Sequence, residues 1–296
     1  MEEKKVLRTK VCDMLGIEYP IFLAGMGQLT GNVRNMRAAG GANPKLVAAV
    51  SNAGGLGVLG ATGVFPDALR EQIREIKSLT DEPFGVDLLL PQAKMEMPAG
   101  VSIEKIRAEM IPPEHEDFVE EMKRELNIPE PKGESRLAYF AEGLNETVAK
   151  KQVEVCLEEE VALFASALGM PEWLVPMCHE AETKVLGLAG NVRAALRHKA
   201  AGADIIVAQG HEAGGHTGRI GTLALVPQVV DAVSPIPVLA AGGIGDGRGV
   251  VAALALGAAG VWVGTYFLFA REANTSQLSM KLMIEATEED TAISRI

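Results

Sequence analysis

DIIVAQGHEAGGHTGRIGTLALVPQVVDAVSPIPVLAAGGIGDGRGVVAALALGAAGVWVGT, residues 204–265, is the stretch on which the fold can be decided. Three short apolar runs (204–208, 237–241 and 260–264) each lead into glycine and are separated by segments of helical length. Runs that are apolar throughout, without polar alternation, suit strands buried on both faces, as in a parallel sheet covered by helices. An open dinucleotide-binding sheet would carry its glycine fingerprint after the first strand. Here the glycine-rich turns follow the last three strands.

Upstream, the same rhythm recurs. Apolar runs at 20–24, 57–59, 84–89, 161–165 and 184–188 supply five more strands. Asn43 before Pro44 has the form of an N-cap with proline at the first helical position. Pro66 opens a helix with Leu69, Ile73 and Ile76 at helical spacing, and Asn191 caps another through Leu196. Further helices are expected near 153–160, 171–180, 226–233 and 249–256. Eight strand–helix units with right-handed crossovers can close on themselves, so the expected fold is an α/β (β/α)8 TIM barrel. Residues 91–151 break the pattern: they are polar, charged and punctuated by proline. They read as an insertion after strand three with short helices, one from Pro112-Pro113-Glu114 to Leu126, and a loop at 129–133. The insertion has too little apolar content for a core of its own. The expected organisation is one domain over residues 1–296, with an insertion at about 91–151.

Composition sets outer bounds. Of 296 residues 48% are hydrophobic, enough for a large core, and only 4% are aromatic against 32 glycines. A net charge of −11 argues against nucleic acid and against a polybasic membrane contact. Cys12, Cys156 and Cys178 are scattered, with no CxxC pair, which favours a reducing, cytoplasmic setting. The opening MEEKKVLRTK lacks the apolar run of a secretory signal. Residues 250–270 come closest to a membrane span, but glycines and the turn-like Leu256-Gly257-Ala258 divide them into a helix and a strand.

The chemistry-bearing residues cluster late in the chain. Gly242-Gly243 and Gly264-Thr265 fall at consecutive strand ends, where barrels often hold phosphate on backbone N–H groups. The adjacent Gly245-Asp246-Gly247-Arg248 could begin a helix whose N-terminus adds to that attraction, although Asp246 and Arg248 also read as capping and solvated residues. His211 and His216 lie in a glycine-rich loop after strand six, where a near-neutral pKa suits a general base. A metal site of His211, Glu212 and His216 ranks below catalysis, since glycines make a poor rigid ligand scaffold. No metal is expected. His115, His179 and His198 fall in surface-like helical contexts. Asp87 ends strand three, and Asn52 could either meet a ligand or close a helix C-terminus.

With these segments in view, GHEAGGHTG within 209–218, SNAGGLG at 51–57, AAGGI at 240–244 and GVWVGT at 260–265 resemble the nitronate monooxygenases, formerly called 2-nitropropane dioxygenases. Residues 20–26 and 84–88 are similar to that family's first and third strands, and the resemblance runs from about residue 11 to 270. The same superfamily includes flavin-dependent enoyl-acyl carrier protein reductases and NADH:quinone reductases. The resemblance implies a noncovalent FMN. Ala24, Gly25 and Met26 would lie near its ring, and Asn52 and Gln209 would hydrogen-bond it. Gly214 and Gly215 would cradle it, and Gly242, Gly243, Gly264 and Thr265 would hold its phosphate. His216 matches the histidine near the flavin, as base or orienter for a carbon acid. Gly25 stands where many members have Pro, and Asp87 where many have Asn, which would put a carboxylate beside the cofactor. His211 is an extra histidine in the loop. The chain ends at Ile296, where members usually continue with a further helical segment. The implied activity is oxidation of a small-molecule nitronate with O2. A homodimer is the default expectation for oligomeric state, independent of the resemblance. An NAD(P)H-dependent flavin reductase is the alternative, and a non-catalytic flavin-binding protein is a reading of another class.

Overall fold

The structure is a computed structural model and describes residues 7–27, 41–90, 112–125 and 146–293. Among the described residues eight parallel strands are present: β1 (Ile21–Leu23), β2 (Gly57–Gly60), β3 (Phe84–Leu89), β4 (Leu163–Ala167), β5 (Lys184–Ala189), β6 (Ile205–Gln209), β7 (Val238–Ala241) and β8 (Gly260–Val263). They pair in the order β1-β8-β7-β6-β5-β4-β3-β2. The ring closes where Phe22 of β1 bridges Leu56 just before β2. There Leu23 N–H donates to the Leu56 carbonyl and Leu56 N–H to that of Ile21, both at 2.9 Å. The expected (β/α)8 TIM barrel is therefore the fold.

Continuous apolar runs resolve into two buried layers. Phe22, Val58, Leu163, Leu186, Ile205, Val207, Leu239 and Trp262 fill the barrel interior. Their strand neighbours Leu59, Val86, Phe164, Val185, Ile206, Val238 and Val261 face outward into the layer shared with the helices. Because both faces of each strand are buried, polar alternation would have been costly in either layer.

The helices are α1 (Lys10–Leu15), α2 (Pro44–Asn52), α3 (Pro66–Leu79), α4 (Pro113–Glu125), α5 (Glu146–Glu158), α6 (Leu174–Glu180), α7 (Val192–Ala201), α8 (Thr222–Val233), α9 (Gly247–Ala255) and α10 (Gln277–Glu285). Asn43 caps α2 as its sequence suggests, its Oδ1 accepting from Lys45 N–H at 3.0 Å and Leu46 N–H at 3.2 Å. Asn191 caps α7 in the same way, accepting from Ala194 N–H at 2.9 Å.

Some boundaries differ from expectation. β4 begins at Leu163, two residues later than the apolar run. Glu160 adopts a left-handed φ of 52°, and Val161 N–H returns to the Cys156 carbonyl at 3.1 Å. That turn takes up the first apolar residues of the run. α5 starts at Glu146, buries Ala149, Val153 and Cys156, and packs against α3. It is thus the barrel helix that leads into β4, and the barrel framework has resumed before residue 151. α4 lies within the expected insertion and buries none of its residues. The loop expected at 129–133 falls outside the described residues. Among the described residues no helix is long and apolar enough to cross a membrane.

His198 is not a surface residue. Only 6% of it is exposed, and its Nε2 lies 2.8 Å from the Leu188 carbonyl. Gly187 makes room for it, since a Cβ there would sit 2.7 Å from the ring Cγ. Burial pushes the imidazole pKa down, so its job is to satisfy a strand carbonyl as a neutral ring. His179 remains exposed and pairs with Asp204 at 2.9 Å.

Candidate active site

The C-terminal ends of the strands bring most of the singled-out residues together. At β1, Ala24 N–H donates to the Val263 carbonyl of β8 at 2.8 Å, placing Ala24, Gly25 and Met26 beside Gly264. A Cβ on Gly264 would lie 3.4 Å from Met26 Sδ and 3.5 Å from Ala24 Cβ. The loop after β6 reaches the same place, for a Cβ on Gly214 would lie 3.7 Å from Thr265 Oγ1. Gly242 has a φ of 104° and Gly243 one of 70°. A Cβ on Gly242 would approach Ala213 N to 2.9 Å and Thr222 Oγ1 to 2.7 Å. Glycine is required there both by the backbone conformation and by the space.

The loop bearing His211 and His216 is fastened at several points. Gln209, at the end of β6, donates from Nε2 to the His216 carbonyl at 3.2 Å and lies 3.5 Å from the Gly214 carbonyl. Its amide therefore ties the loop from within. Glu212 accepts from Thr222 N–H at 2.9 Å and from the Thr222 hydroxyl at 2.8 Å, and that hydroxyl also reaches the Ala241 carbonyl at 3.1 Å. Burial opposes ionisation of Glu212, but these bonds and nearby His211 outweigh it and hold the carboxyl below the usual carboxylate range. The His211 ring lies against Gly221 and Glu212, on the α8 side of the loop. The His216 residue is exposed. At the loop's far end a Cβ on Gly190, which follows β5, would come within 2.9 Å of Gly218 N, so the two chains meet backbone to backbone. Gly190 and Thr222 hold this loop, yet nothing in their local sequence singles them out.

Asp87 faces the barrel interior from β3, level with Gly60 on β2 and Ala165 on β4. It is 7% exposed, and its Oδ1 has no hydrogen-bond partner. Its side chain leans over Gly25, where a Cβ would stand 2.7 Å from the carboxyl carbon. Burial alone pushes the Asp87 pKa up to about 8.

Asn52 is not brought to this face. It ends α2 at the opposite rim, next to Gly54, whose carbonyl accepts from Glu18 and Tyr19 ahead of β1. Its Nδ2 donates to the Leu79 carbonyl at 3.1 Å, and its Oδ1 accepts from the Thr80 hydroxyl at 2.6 Å. These bonds tie the end of α2 to the end of α3, and the helix-terminus reading accounts for them.

A strand-end site of this kind on a closed barrel can be compared with known proteins. The family model described as nitronate monooxygenase matches residues 8–296. The chain belongs to the nitronate monooxygenase family. It is 42% identical over 293 residues to a Mycobacterium tuberculosis protein named as a monooxygenase, Rv1533, covering 98% of this chain and 74% of that one. A Staphylococcus aureus protein named as a probable nitronate monooxygenase is 38% identical over 299 residues, covering 97% and 75%. Among solved structures, FabK from Thermotoga maritima superposes with a TM-score of 0.71 at 32% identity, over 97% of this chain and 71% of that one. A nitroalkane oxidase from Streptomyces ansochromogenes gives 0.71 at 29% identity, over 92% and 72%.

Nitronate monooxygenases are flavin-dependent oxidoreductases, and this chain is one of them. The strand ends fit a flavin. Gly214, Gly242, Gly243 and Gly264 bring strand-end backbone without side chains of its own to one rim, suited to a phosphate. Below the rim, Ala24 and Ala241 line the mouth with small side chains, and the unpartnered Asp87 Oδ1 offers a hydrogen bond.

Proposed function

We propose that this member of the family binds FMN and oxidises alkyl nitronates with O2. The observation that carries the reading is the meeting of the β6 loop, the β7 glycines and the β8 end at one rim, with Gly214 beside Thr265 and Gly242 beside Ala213. In this reading the N–H groups of Gly242, Gly243, Gly264 and Thr265 hold the phosphate, and Gly214 and Gly215 cradle the cofactor. Ala24, Gly25 and Met26 back the ring. Asp87 hydrogen-bonds it, while Gln209 fixes the loop that flanks it. His216 orients the substrate carbon or takes its proton. FMN, when bound, supplies the redox step; the protein supplies position, electrostatics and exclusion of competing reactions.

The substrate is a small molecule and the expected setting is the cytoplasm. A homodimer is proposed as the oligomeric state, to be checked by sedimentation of the purified protein. The enzymatic reading is tested by recording the absorbance of FMN-loaded protein under anaerobic conditions while propyl-2-nitronate and NADH are added to separate samples. Bleaching by the nitronate is the expected result. Bleaching by NADH alone would move the chain to the reductases of its superfamily, and no bleaching by either would leave only flavin binding.

A further inference from the structure

We propose that Asp87 engages the bound flavin as a neutral acid, donating a hydrogen bond from its buried carboxyl, so that ionisation of this one group weakens cofactor binding. The inference rests on the flavin reading of the site and adds the protonation state in which the site works. The carboxyl of Asp87 sits in space that Gly25 leaves open, for any side chain at residue 25 would collide with it.

The surroundings determine which form of Asp87 the fold accepts. From the end of β1 it meets Gly25, and its register partners are Gly60 on β2 and Ala165 on β4. None of these is titratable or charged. Its own backbone carbonyl is taken by Ala61 N–H at 3.0 Å, which leaves the side chain without local compensation. Among the described residues no cation is positioned to pair with it, and burial is the whole cause of its raised pKa. A carboxylate held there would have lost its water without gaining a counter-charge, which is among the costliest arrangements a protein interior can hold. The protonated form escapes that cost and gains an O–H donor beside an acceptor oxygen. A flavin closing the mouth removes further water from Asp87, which disfavours the ion still more.

The sign follows from linkage. If the loaded protein binds the Asp87 proton more tightly than the empty protein, affinity is constant below the empty-state pKa and falls above it, by up to about tenfold per pH unit. The empty-state pKa of about 8 places the break near that pH.

The experiment is an FMN titration of the full chain stripped of cofactor, followed by quenching of flavin fluorescence between pH 6.5 and 9.5 (roughly the span over which linkage predicts the break). Native protein is compared with Asp87→Asn, which keeps a donor and cannot ionise. Titration of FMN itself affects both proteins equally. The expected result is similar affinity at the low end, with the native Kd rising progressively above that of Asp87→Asn at the high end. Asp87→Ser is the second variant, should the amide not be tolerated. Parallel pH profiles, or native affinity that improves with pH, would overturn the inference while leaving FMN binding intact. Native protein that takes up no FMN at any pH would overturn both readings.

Discussion

Gly190→Ala tests whether the loop bearing His216 is held by direct backbone contact with the end of β5. Gly190 has no left-handed φ, so alanine is conformationally admissible there. By itself the change stabilises, since it removes about 0.4–1 kcal/mol of unfolded-chain entropy. The opposing effect is steric. The new Cβ would lie 2.9 Å from Gly218 N and 3.0 Å from Gly218 Cα, both backbone atoms. Ordinary van der Waals separation requires the two chains to part by about half an ångström. Overpacking of that kind costs about 1–3 kcal/mol, leaving a net loss of about 0–2.5 kcal/mol, centred near 1. For a chain of this size that is a Tm lowered by up to about 4 °C. Because the displaced segment carries His216, kcat of the loaded enzyme should also fall, on the order of tenfold. Gly247→Ala is the control: it adds a Cβ with nothing within 4 Å, at the first residue of α9, and should be neutral or slightly stabilising. Urea denaturation of both variants and hydrogen exchange across residues 210–221 measure the effect. If Gly190→Ala proves as stable as Gly247→Ala and the loop exchanges at its native rate, the contact does not hold the loop.

Three further substitutions probe other parts of the fold. Ser51→Ala removes a buried hydroxyl that donates to the Pro83 carbonyl at 2.8 Å and accepts from Gly57 N–H at 3.1 Å. Two backbone groups are orphaned, and denaturant unfolding should show a loss of about 2–4 kcal/mol; a loss near zero would mean that water replaces the hydroxyl. Glu212 has a depressed folded pKa, so its contribution is complete above its unfolded value and disappears as pH falls through the folded one. The stability gap between native protein and Glu212→Gln should therefore be widest near neutrality and close in acid, and a gap independent of pH would contradict the hydrogen-bonded carboxylate. Leu168, 51% exposed just after β4, is held at a φ of 69° by a turn in which the buried Ser166 hydroxyl donates to the Gly169 carbonyl at 2.6 Å. Leu168→Gly relieves the left-handed strain at the expense of chain entropy, so Tm should stay level or rise by the equivalent of up to about 1 kcal/mol. A clear drop would assign the leucine a packing role.

Strand placement was legible because a parallel barrel writes each strand as a continuous apolar run, and seven of the eight runs coincide with their strands to within about one residue at each end. The β4 run misleads because Val161 and Ala162 stay apolar through a turn set by the left-handed Glu160, which is a backbone property without a sequence pattern. The paired glycines at 242–243 and the Gly264-Thr265 step were legible for a similar reason, since they follow strands directly. Asn52 misled in the other direction. Its segment carries part of the family resemblance, but a helix preceding a strand ends at the rim opposite the strand ends. Gly190, Gly60 and Thr222 went unremarked because each acts through a partner distant in sequence: Gly218, Met26 and Glu212 respectively. His198 looked like a surface residue because its burial depends on Gly187 in a neighbouring strand.

The pairing of β1 with β8 sets an order of assembly. Ile21, Phe22 and Leu23 pair in register with Val261, Trp262 and Val263, so a nascent chain must hold its first strand without that edge until nearly all the rest has been synthesised. Its other neighbour offers one isolated bridge, between Phe22 and Leu56. The rim where Met26 meets Gly264 exists only after that last seam closes. A ligand seated there would act as a clasp between the two ends of the chain, and its removal should loosen the β1 seam before any other part of the barrel.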